Sequence, residues 1–339
     1  MHQGALIDDA AMDVGKAFAR ELEDGQPVDS VFLVRERLRR EKRNGEAFLK
    51  LRLSDVTGTV EAVIWDGVDG FADAVVPGKV VRVEGRFAVD ARYGGCITIR
   101  TIREAAEHEY DARDLLDGPP HPLEAMVADM RDLIATVQNP HLRALLDSFF
   151  GDGSAEWARW REAPAAKHYH QAYRHGLLEH CLSVAQGVSA LSATFPGIDR
   201  DVAVTGALLH DIGKIEAYQS NGLSIEMSDA GRLQGEIPLG YYMVRRRIED
   251  LPGFPADVAQ AVLHIILSHH GKLEHGSPVV PCTREATLVH MIDNLGGRLG
   301  SFDRLEKALA PGTAWSPFDR AISAAAYFPR GEPRERAVA

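Results

Sequence analysis

The residues of this sequence best suited to chemistry form a dipeptide, His210-Asp211, at the end of an apolar run. Small and apolar side chains between Ala203 and Leu209 recur at helical spacing, which predicts a buried helix with the dipeptide in its last turn. Gly213 is predicted to be the left-handed residue that ends this helix. Burying a carboxylate without a partner costs several kcal/mol, and a bound cation would offset that cost. The dipeptide could therefore bind one metal ion or bridge two; the alternative is a solvated aspartate beside a core histidine.

Histidines are concentrated in the same part of the chain. Ten of the fourteen lie between His168 and His290, a span of little more than a third of the sequence. Imidazole nitrogens and carboxylate oxygens are common ligands of divalent transition metals. A surplus of histidines beside acidic residues on apolar segments therefore predicts a metal site. The ordered series of predicted ligands is His180, His210, Asp211, His269, His270 and Asp293.

Helices must bring these residues together, because each lies on a segment with apolar side chains at helical spacing. His180 lies on one such segment, His269 and His270 end a predicted helix over 256–270, and Asp293 lies on a later helix. Each residue also has a less specific interpretation. A lone histidine is often a satisfied core residue, and Asp293 could be a surface carboxylate.

The order H…HD…HH…D is accompanied by extended motifs. These are YRHGLLEH at 173–180, LLHDIGK at 208–214, SHHGKLEHGSP at 268–278 and HMIDNLGGRL at 290–299. The set resembles the HD-domain metal-dependent phosphohydrolases. The resemblance implies one divalent ion held by His180, His210, Asp211 and Asp293, and a second held by Asp211, His269, His270 and Glu236.

Glu236 is the main departure from the HD pattern. The family has Gly-His-Ile at the position where this sequence has Gly235-Glu236-Ile237. A carboxylate can replace an imidazole as a metal ligand. The alternative is that Glu236 is a surface residue and that the second metal is weak or absent.

Four residues near the predicted ligands are assigned to the reaction itself. Asp211 and Lys214 are the predicted catalytic residues, with Lys214 neutralising the scissile phosphate; the alternative for Lys214 is a cation at a helix C-terminus. Arg174 and His175 are predicted to line the substrate mouth, with Arg174 on a phosphate. Their alternative is ordinary surface polarity.

Length and composition indicate two globular domains in 339 residues, with 45% apolar and 26% charged side chains. A net charge of −11 argues against a generally basic nucleic-acid-binding surface, although a local basic groove is compatible with it. The three cysteines are scattered and odd in number, as expected of free thiols in a reducing cytoplasm. No apolar run is long enough for a membrane span, and the N-terminus lacks the basic start of a signal peptide. We therefore expect a cytoplasmic protein without a membrane partner.

Residues 26–105 predict a different fold from the rest of the chain. Alternating segments separated by turns such as Asn44-Gly45 predict five strands, with a short helix between the third and the fourth. This is the order of an OB-fold barrel. The phrase LRLSDVTGTVEAVIWD at 51–66 resembles nucleic-acid-binding OB domains of the anticodon-binding type.

An OB face that binds single strands needs cations for the phosphates and aromatic rings for the bases. Trp65 at a strand end and Tyr93 in a turn are the predicted stacking residues, whereas Phe48 and Phe87 could equally be core. The arginine-rich run could instead be a solvated edge strand. The predicted cations of this face are Arg35, Arg37 and Arg52.

The predicted fold is therefore a five-stranded OB barrel followed by an all-helical HD domain. The domain limits are an N-terminal arm at 1–25, the barrel at 26–105, a linker at 106–120, the helical domain at 121–330 and a disordered tail at 331–339.

The combination of an OB fold with these HD motifs resembles the YhaM-like 3′–5′ exoribonucleases. The resemblance implies hydrolysis of single-stranded RNA, with single-stranded DNA as an alternative, and a barrel that guides the strand. It implies two divalent ions, Mn²⁺ in the first place and Mg²⁺, Fe²⁺, Co²⁺ or Ni²⁺ as alternatives. Two other functions stay open at this point: hydrolysis of a small nucleotide under control of the barrel, and non-enzymatic nucleic-acid binding. The sequence leaves homo-oligomerisation open.

Overall fold

A computed structural model describes residues 16–42, 44–71, 75–90, 94–116, 118–167, 171–220, 225–309 and 313–329. The chain divides into two compact units, Met1–Leu116 and Asp117–Ala339, and this division falls inside the predicted linker. Residues 1–15 of the predicted arm, Tyr93 and the predicted tail lie outside the described residues.

The first unit is a closed five-stranded barrel in the order β1-β2-β3-β5-β4. Neighbouring strands are antiparallel except for the β3–β5 pair, which is parallel and closes the barrel. A 3-10 turn at Val68–Phe71 lies between β3 and β4, so the prediction of an OB fold is confirmed. The strands are β1 (Pro27–Glu41), β2 (Ala47–Asp55), β3 (Gly58–Ile64), β4 (Val80–Asp90) and β5 (Gly94–Glu104).

The barrel follows from alternation along its strands. Leu49, Leu51 and Leu53 of β2 point into the core, while the intervening residues are more exposed, except at the end of the strand. Gly45 supplies the positive φ of 85° that the turn before β2 requires. The core of the barrel is therefore one face of each strand, and the other face is available for binding.

The stretch predicted as a linker is partly folded onto the barrel. Two 3-10 turns, Glu107–Glu109 and Ala112–Asp114, lie in it. Glu109 forms ion pairs with Arg82 and Arg103 of the barrel strands. The polar composition that predicts a linker here comes in part from acidic side chains that pair with barrel arginines.

The second unit is mainly helical. Its central helices pack around an apolar core to which α4, α5 and α9 contribute most of the fully buried side chains. Within the described segments, none of the helices combines the length and apolar character that a membrane crossing requires. The helices are α1 (Leu123–Ala135), α2 (Pro140–Phe150), α3 (Ala155–Glu162), α4 (Gly176–Ser192), α5 (Arg200–Leu209), α6 (Lys214–Ala217), α7 (Asp229–Gln234), α8 (Glu236–Glu249), α9 (Ala256–Ser268) and α10 (Arg284–Lys307).

Two hairpins interrupt the domain that was predicted to be all-helical. One pairs β6 (Tyr218–Ser220) with β7 (Ile225–Met227), and the other pairs β8 (Trp315–Asp319) with β9 (Ala324–Tyr327). The strands have three to five residues, which is too short for a period-two pattern to stand out in the sequence.

Candidate metal centre

Four helical elements bring the predicted ligands to one place in the second unit. His180 lies in the second turn of α4, His210 and Asp211 follow α5, and His269 follows α9. These four residues are at most 4% exposed, although each has a polar side chain. Asp293 of α10 is also within 3.1 Å of His180, measured from Oδ1 to Nε2. Polar groups at this depth need partners, so the burial itself indicates a shared site.

The end of α5 differs from the prediction. The helix ends at Leu209, His210 is its C-cap, and Gly213 has φ of −66°, so the prediction of a left-handed glycine was wrong. Glycine is needed for a different reason. A Cβ at this position would lie 2.1 Å from the Glu236 carbonyl oxygen and 2.4 Å from the Gly240 nitrogen. Gly213 thus allows the first turns of α8 to approach the centre.

The ligand atoms of the first group lie within a few ångströms of each other. His180 Nε2 is 3.3 Å from Asp211 Oδ2 and 3.2 Å from His210 Nε2. His210 Nε2 is 3.3 Å from the same Asp211 oxygen and 4.0 Å from Asp293 Oδ1. Two imidazole nitrogens and two carboxylate oxygens therefore converge, which is a suitable donor set for a divalent transition metal.

The second group extends from the other oxygen of the same carboxylate. Asp211 Oδ1 is 3.5 Å from His269 Nε2, and the rings of His269 and His270 lie 4.3 Å apart. Asp211 therefore faces one pair of histidines with each of its oxygens. In the part of the chain that the structure describes, three overlapping sets of ligand atoms lie close enough together to hold a metal ion: His180 with His210 and Asp211, His210 with His269 and Asp293, and Asp211 with His269 and His270.

All four histidines are oriented by their Nδ1 atoms. His210 Nδ1 bonds to the Ala207 carbonyl and His269 Nδ1 to the Ile266 carbonyl, each three residues earlier in the same chain segment. His270 Nδ1 bonds to the carbonyl of His275, at 2.8 Å. Because a carbonyl can only accept, Nδ1 must carry the proton in these three rings, which leaves Nε2 with a lone pair aimed at the centre.

His180 is held in the same way by a side chain. Its Nδ1 lies 3.1 Å from Gln171 Oε1. Two Nε2 lone pairs that face each other at 3.2 Å, as in His180 and His210, repel each other unless a proton or a cation lies between them. A proton on His180, or a metal ion in its place, would remove this repulsion.

Among the described residues, two buried atoms of the centre have no hydrogen-bond partner, which tests whether a metal fits. They are Asp211 Oδ1 and His269 Nε2, the two atoms that face each other at 3.5 Å. Buried acceptors without partners are rare and costly. Both atoms are good metal ligands, and a cation would satisfy both at once. The residues therefore fit a divalent metal.

The charged groups of the centre lower the pKa values of its two aspartates and raise the pKa of His180. Burial raises the pKa of Asp211, but Lys214 and His210 outweigh burial and hold that pKa well below its usual value. For Asp293, burial likewise raises the pKa and His180 more than compensates. Burial lowers the pKa of His180, whereas Asp211 and Asp293 raise it to about 9. Both carboxylates are therefore ionised at neutral pH, as metal ligands must be.

Lys214 lies inside the centre rather than at a helix C-terminus. It is the first residue of α6, and its Nζ donates to Asp211 Oδ2 at 2.9 Å and to the Ala165 carbonyl at 2.7 Å. Burial lowers the pKa of Lys214, but the carboxylates of Asp211 and Glu236 outweigh burial and hold that pKa far above its usual value. A lysine ammonium has three donors, so one is left for a third acceptor.

Glu236 lies at the edge of the centre with three distant partners. Its Oε1 is 3.6 Å from His270 Nε2 and 3.9 Å from Lys214 Nζ, and Tyr218 donates to its Oε2 at 3.5 Å. Among the described residues it does not join the ligand sets that surround Asp211. The residue is thus within reach of the second group without completing it.

Arg174 and His175 both contact the last turn of α3. Arg174 forms an exposed ion pair with Glu162, and the His175 ring bonds to the Arg161 carbonyl at 2.6 Å. His175 also occupies the N-cap of α4 with φ of 71°. Neither joins the grouped ligand atoms, and their role at a substrate mouth stays a prediction.

The predicted nucleic-acid face of the barrel contains an aromatic pair. Trp65 is exposed and stacks on Phe48 with ring centroids 5.0 Å apart. Arg52 pairs with Glu36 and Glu61, and Arg35 donates to the Ser54 hydroxyl. Arg37 lies opposite Leu51 in the β1–β2 register and is exposed, whereas Phe87 is buried in the core. Tyr93 is outside the described residues.

Comparisons with known proteins agree with both units. The HD domain family matches residues 177–297, and the family of OB-fold nucleic acid binding domains matches residues 33–103. The 3′–5′ exoribonuclease YhaM of Bacillus velezensis is 31% identical over 86% of this chain and 91% of that protein. The YhaM proteins of Bacillus subtilis and a Geobacillus species are 30% and 32% identical over 86% of this chain, covering 91% and 88% of those proteins. The chain belongs to the YhaM family.

The matched ranges can be compared with the positions of the predicted functional residues. All of the predicted metal ligands, including Glu236, lie inside the HD match at 177–297, whereas Arg174 and His175 lie just outside it. The predicted cations and aromatics of the barrel lie inside the OB match. The similarity to the YhaM family therefore extends over both of the regions in which sequence analysis placed functional residues.

Two residues of the centre were missed by the sequence analysis. Gln171 orients His180, and its own backbone is held in the left-handed region at φ of 57°. Tyr218 contacts Glu236 from the start of β6. Neither residue type marks a metal site by itself. The only available signal was the position of Gln171 nine residues before a predicted ligand.

Proposed function

We propose that this protein is a metal-dependent exoribonuclease that removes nucleotides from the 3′ end of single-stranded RNA, with single-stranded DNA as a second substrate. Its relatives of the YhaM family carry the name 3′–5′ exoribonuclease, and they match almost the whole chain. The observation that carries the proposal is the convergence of four imidazoles and two carboxylates on one buried centre.

The proposed centre holds two divalent ions that share Asp211. His180, His210, Asp211 and Asp293 would hold the first, and Asp211, His269, His270 and Glu236 the second. Mn²⁺ is the proposed metal because the resemblance to YhaM-like exoribonucleases implies it, and the carboxylates of Asp211 and Asp293 suit it. Glu236 Oε1 lies 3.6 Å from His270 Nε2, and the two residues would hold the second ion together.

Divalent ions at such a centre lower the pKa of bound water and neutralise charge on a phosphate. The chain supplies the remaining functions. Asp211 is ionised and fixed by Lys214, so it keeps its place while substrate exchanges. The third N–H of Lys214 is available for a phosphate oxygen of the scissile linkage. The four imidazoles keep their orientation through Nδ1, so the centre needs little rearrangement to bind metal.

The barrel is proposed to bind the strand that the centre cuts. Phe48 and Trp65 offer a stacked aromatic surface of the kind on which unpaired bases lie. Arg35, Arg37 and Arg52 would neutralise phosphates, with Arg52 exchanging its partners Glu36 and Glu61 for the RNA. We also propose that Tyr93, Arg174 and His175 contact the substrate.

The proposed setting is the cytoplasm. Cys96, Cys181 and Cys282 are all free thiols, which suits a reducing compartment. The proposed domain limits remain an arm at 1–25, the barrel at 26–105, a short linker up to about 120, and the HD domain at 121–330 with a tail behind it.

The function is tested with a single-stranded RNA labelled at either end. With Mn²⁺ present, a 5′ label should yield a ladder that shortens progressively, and a 3′ label should be released at once as a mononucleotide. The variant Asp211→Asn, which keeps the size of the side chain but removes the charge, should lose nearly all activity and bind less metal. Intact RNA after incubation with folded, metal-loaded wild-type protein would reject the proposal, and turnover of free nucleotides instead would favour a small-nucleotide phosphohydrolase.

A further inference from the structure

One more histidine lies beside the metal centre, and within the described residues it belongs to none of the grouped ligand sets. His290 is in the second turn of α10, three residues before Asp293, and side chains at that spacing share one side of a helix. Its Nδ1 lies 2.7 Å from the main-chain carbonyl oxygen of His269. Because a carbonyl can only accept, Nδ1 carries the proton and donates it to this bond.

The carbonyl that His290 contacts is one that a helix end leaves without an intrahelical donor. His269 is the C-cap of α9, and the last carbonyl groups of a helix have no N–H group one turn further along. The preceding carbonyl, that of Ser268, accepts from the Gly271 amide at 2.8 Å. His290 supplies the donor for the His269 carbonyl from another helix. A side chain of α10 therefore holds the turn that follows α9.

Gly271 leaves room for the ring of His290. Its φ of 79° lies in the left-handed region, so the chain changes direction directly after His270. A Cβ at Gly271 would lie between 2.1 and 2.6 Å from three atoms of the His290 ring. The ring therefore packs against the main chain of the turn and also donates a hydrogen bond to it. Both contacts fix the position of the turn relative to α10.

The turn carries two of the ligands assigned to the second ion. His269 Nε2 lies 3.5 Å from Asp211 Oδ1, and the rings of His269 and His270 lie 4.3 Å apart. The carbonyl contacts of their Nδ1 atoms orient each ring within its own segment, but they do not fix where that segment lies. Metal–ligand distances vary by only about 0.2 Å, so the position of the segment matters.

We propose that His290 is a positioning residue for the second ion. Its hydrogen bond to the turn after α9 places His269 and His270 at a fixed spacing from Asp293, which the same side of α10 contributes to the first ion. This inference rests on the two-ion centre of the proposed function. It implies that loss of the donor at position 290 releases the second ion and leaves the first in place.

The test counts the Mn²⁺ ions on the full-length protein by elemental analysis after gel filtration in metal-free buffer. Affinities are then measured by competition with a chelator. Wild-type protein should retain two ions per chain. His290→Leu, which keeps a side chain of similar size but removes the donor, should retain one. Its affinity for the second ion should fall by about 10–100-fold, the usual effect of losing a group that supports a ligand. Its affinity for the first ion should stay at the wild-type value.

His290→Asn separates positioning from a general effect on folding. The asparagine amide nitrogen is as many bonds from the main chain as Nδ1 and can donate to the same carbonyl, so this variant should keep both ions. The control His141→Leu removes a half-buried imidazole of α2 that contacts Phe254, and it should also keep both ions. Melting temperatures show whether each variant is folded. If the leucine variant is not, His290→Ala takes its place with the same expected loss.

Two ions on the folded leucine or alanine variant overturn the proposal, and so does an equal loss of both ions. Loss of the second ion in His290→Asn also overturns it, because the donor would then not be the deciding group. A wild type that retains a single ion overturns it as well. RNA cleavage decides the proposed function separately. Wild-type protein that holds two ions but leaves single-stranded RNA intact contradicts the exoribonuclease, while the ion counts of the variants still decide the role of His290.

Discussion

At the scale of single residues, the four histidines of the centre differ in what holds their rings. His210 and His269 are both C-caps, and each bonds through Nδ1 to a carbonyl three residues earlier. His270 uses the carbonyl of His275 in the following turn. His180 differs from these three, because among the described residues it is the side chain of Gln171 that contacts its Nδ1. The orientation of His180 is therefore the one that a substitution can change without touching a ligand.

Replacement of Gln171 by Ala should weaken metal binding by about 10–100-fold, the usual effect of losing a group that orients a ligand. Gln171→Glu should retain affinity, because a carboxylate oxygen also accepts from Nδ1. The measurement is a calorimetric titration of the metal-free protein with Mn²⁺. Gln138→Ala, on the loop after α1, serves as the control and should bind as wild type does. Unchanged affinity in Gln171→Ala would show that the ring needs no such support.

The pKa of His180 leads to a prediction about the metal-free protein. This pKa is raised from 6.5 to about 9 in the folded state, because Asp211 and Asp293 outweigh burial. A group whose folded pKa is raised contributes its full stabilisation below pH 6.5 and loses it as the pH rises through about 9. With chelator present, we expect the melting temperature to fall between pH 6.5 and 9. His180→Asn should remove most of this fall; an equally steep fall in that variant would assign the effect to another group.

At the scale of elements, the centre depends on how closely α8 approaches the turn after α5. Gly213 permits the contact, because a Cβ there would lie 2.1 Å from the Glu236 carbonyl oxygen. The same turn of α8 carries the Glu236 side chain. The separation of these two elements therefore sets whether Glu236 can reach a second ion.

Gly213→Ala should lower the free energy of unfolding by about 1–3 kcal/mol, the cost of forcing extra volume into a packed contact. It should also reduce the number of metal ions bound per chain, since α8 has to move outward. Chemical denaturation and elemental analysis measure the two effects. The matched control is Gly153→Ala, where a Cβ would meet no atom within 4 Å. Equal stability of both variants would contradict the steric argument.

The long helices and the barrel strands could be predicted from sequence, and some local features could not. Apolar spacing around His180 and Asp293 predicts their helices because those helices have a clear buried face. Alternation and turn residues predict the barrel in the same way. The hairpins at 218–227 and 315–327 are too short for such patterns, and the backbone of Gly213 is set by a contact with α8 that is distant in sequence. Gln171 escaped notice because its role depends on folding next to His180.

At the scale of the whole molecule, two units divide the proposed work, and kinetics can separate them. Loss of Phe48 or Trp65 should weaken RNA binding, because each stacked base contributes about 1–3 kcal/mol. We expect Trp65→Ala to raise KM for a long RNA by roughly 5–150-fold on that basis, with little change in kcat. For a dinucleotide, which is too short to reach across a domain, neither constant should change.

The control for this comparison is Val89→Ala, which shortens another exposed side chain of the barrel. It should leave KM unchanged for both substrates. If Trp65→Ala instead lowers kcat for the dinucleotide, the aromatic pair acts on the reaction itself, and the division of work between the units is wrong.

The carbonyl contacts of His210 and His269 have a consequence for how this enzyme could diverge. The rings of His210 and His269 are held by main-chain carbonyls. Substitutions near them would therefore change these contacts only by unwinding the end of a helix. The ring of His180 is held by the side-chain amide of Gln171, which a single substitution can remove. We expect homologues that encounter different metal concentrations to vary first at the position of Gln171. A change there would adjust metal affinity while every ligand stays the same.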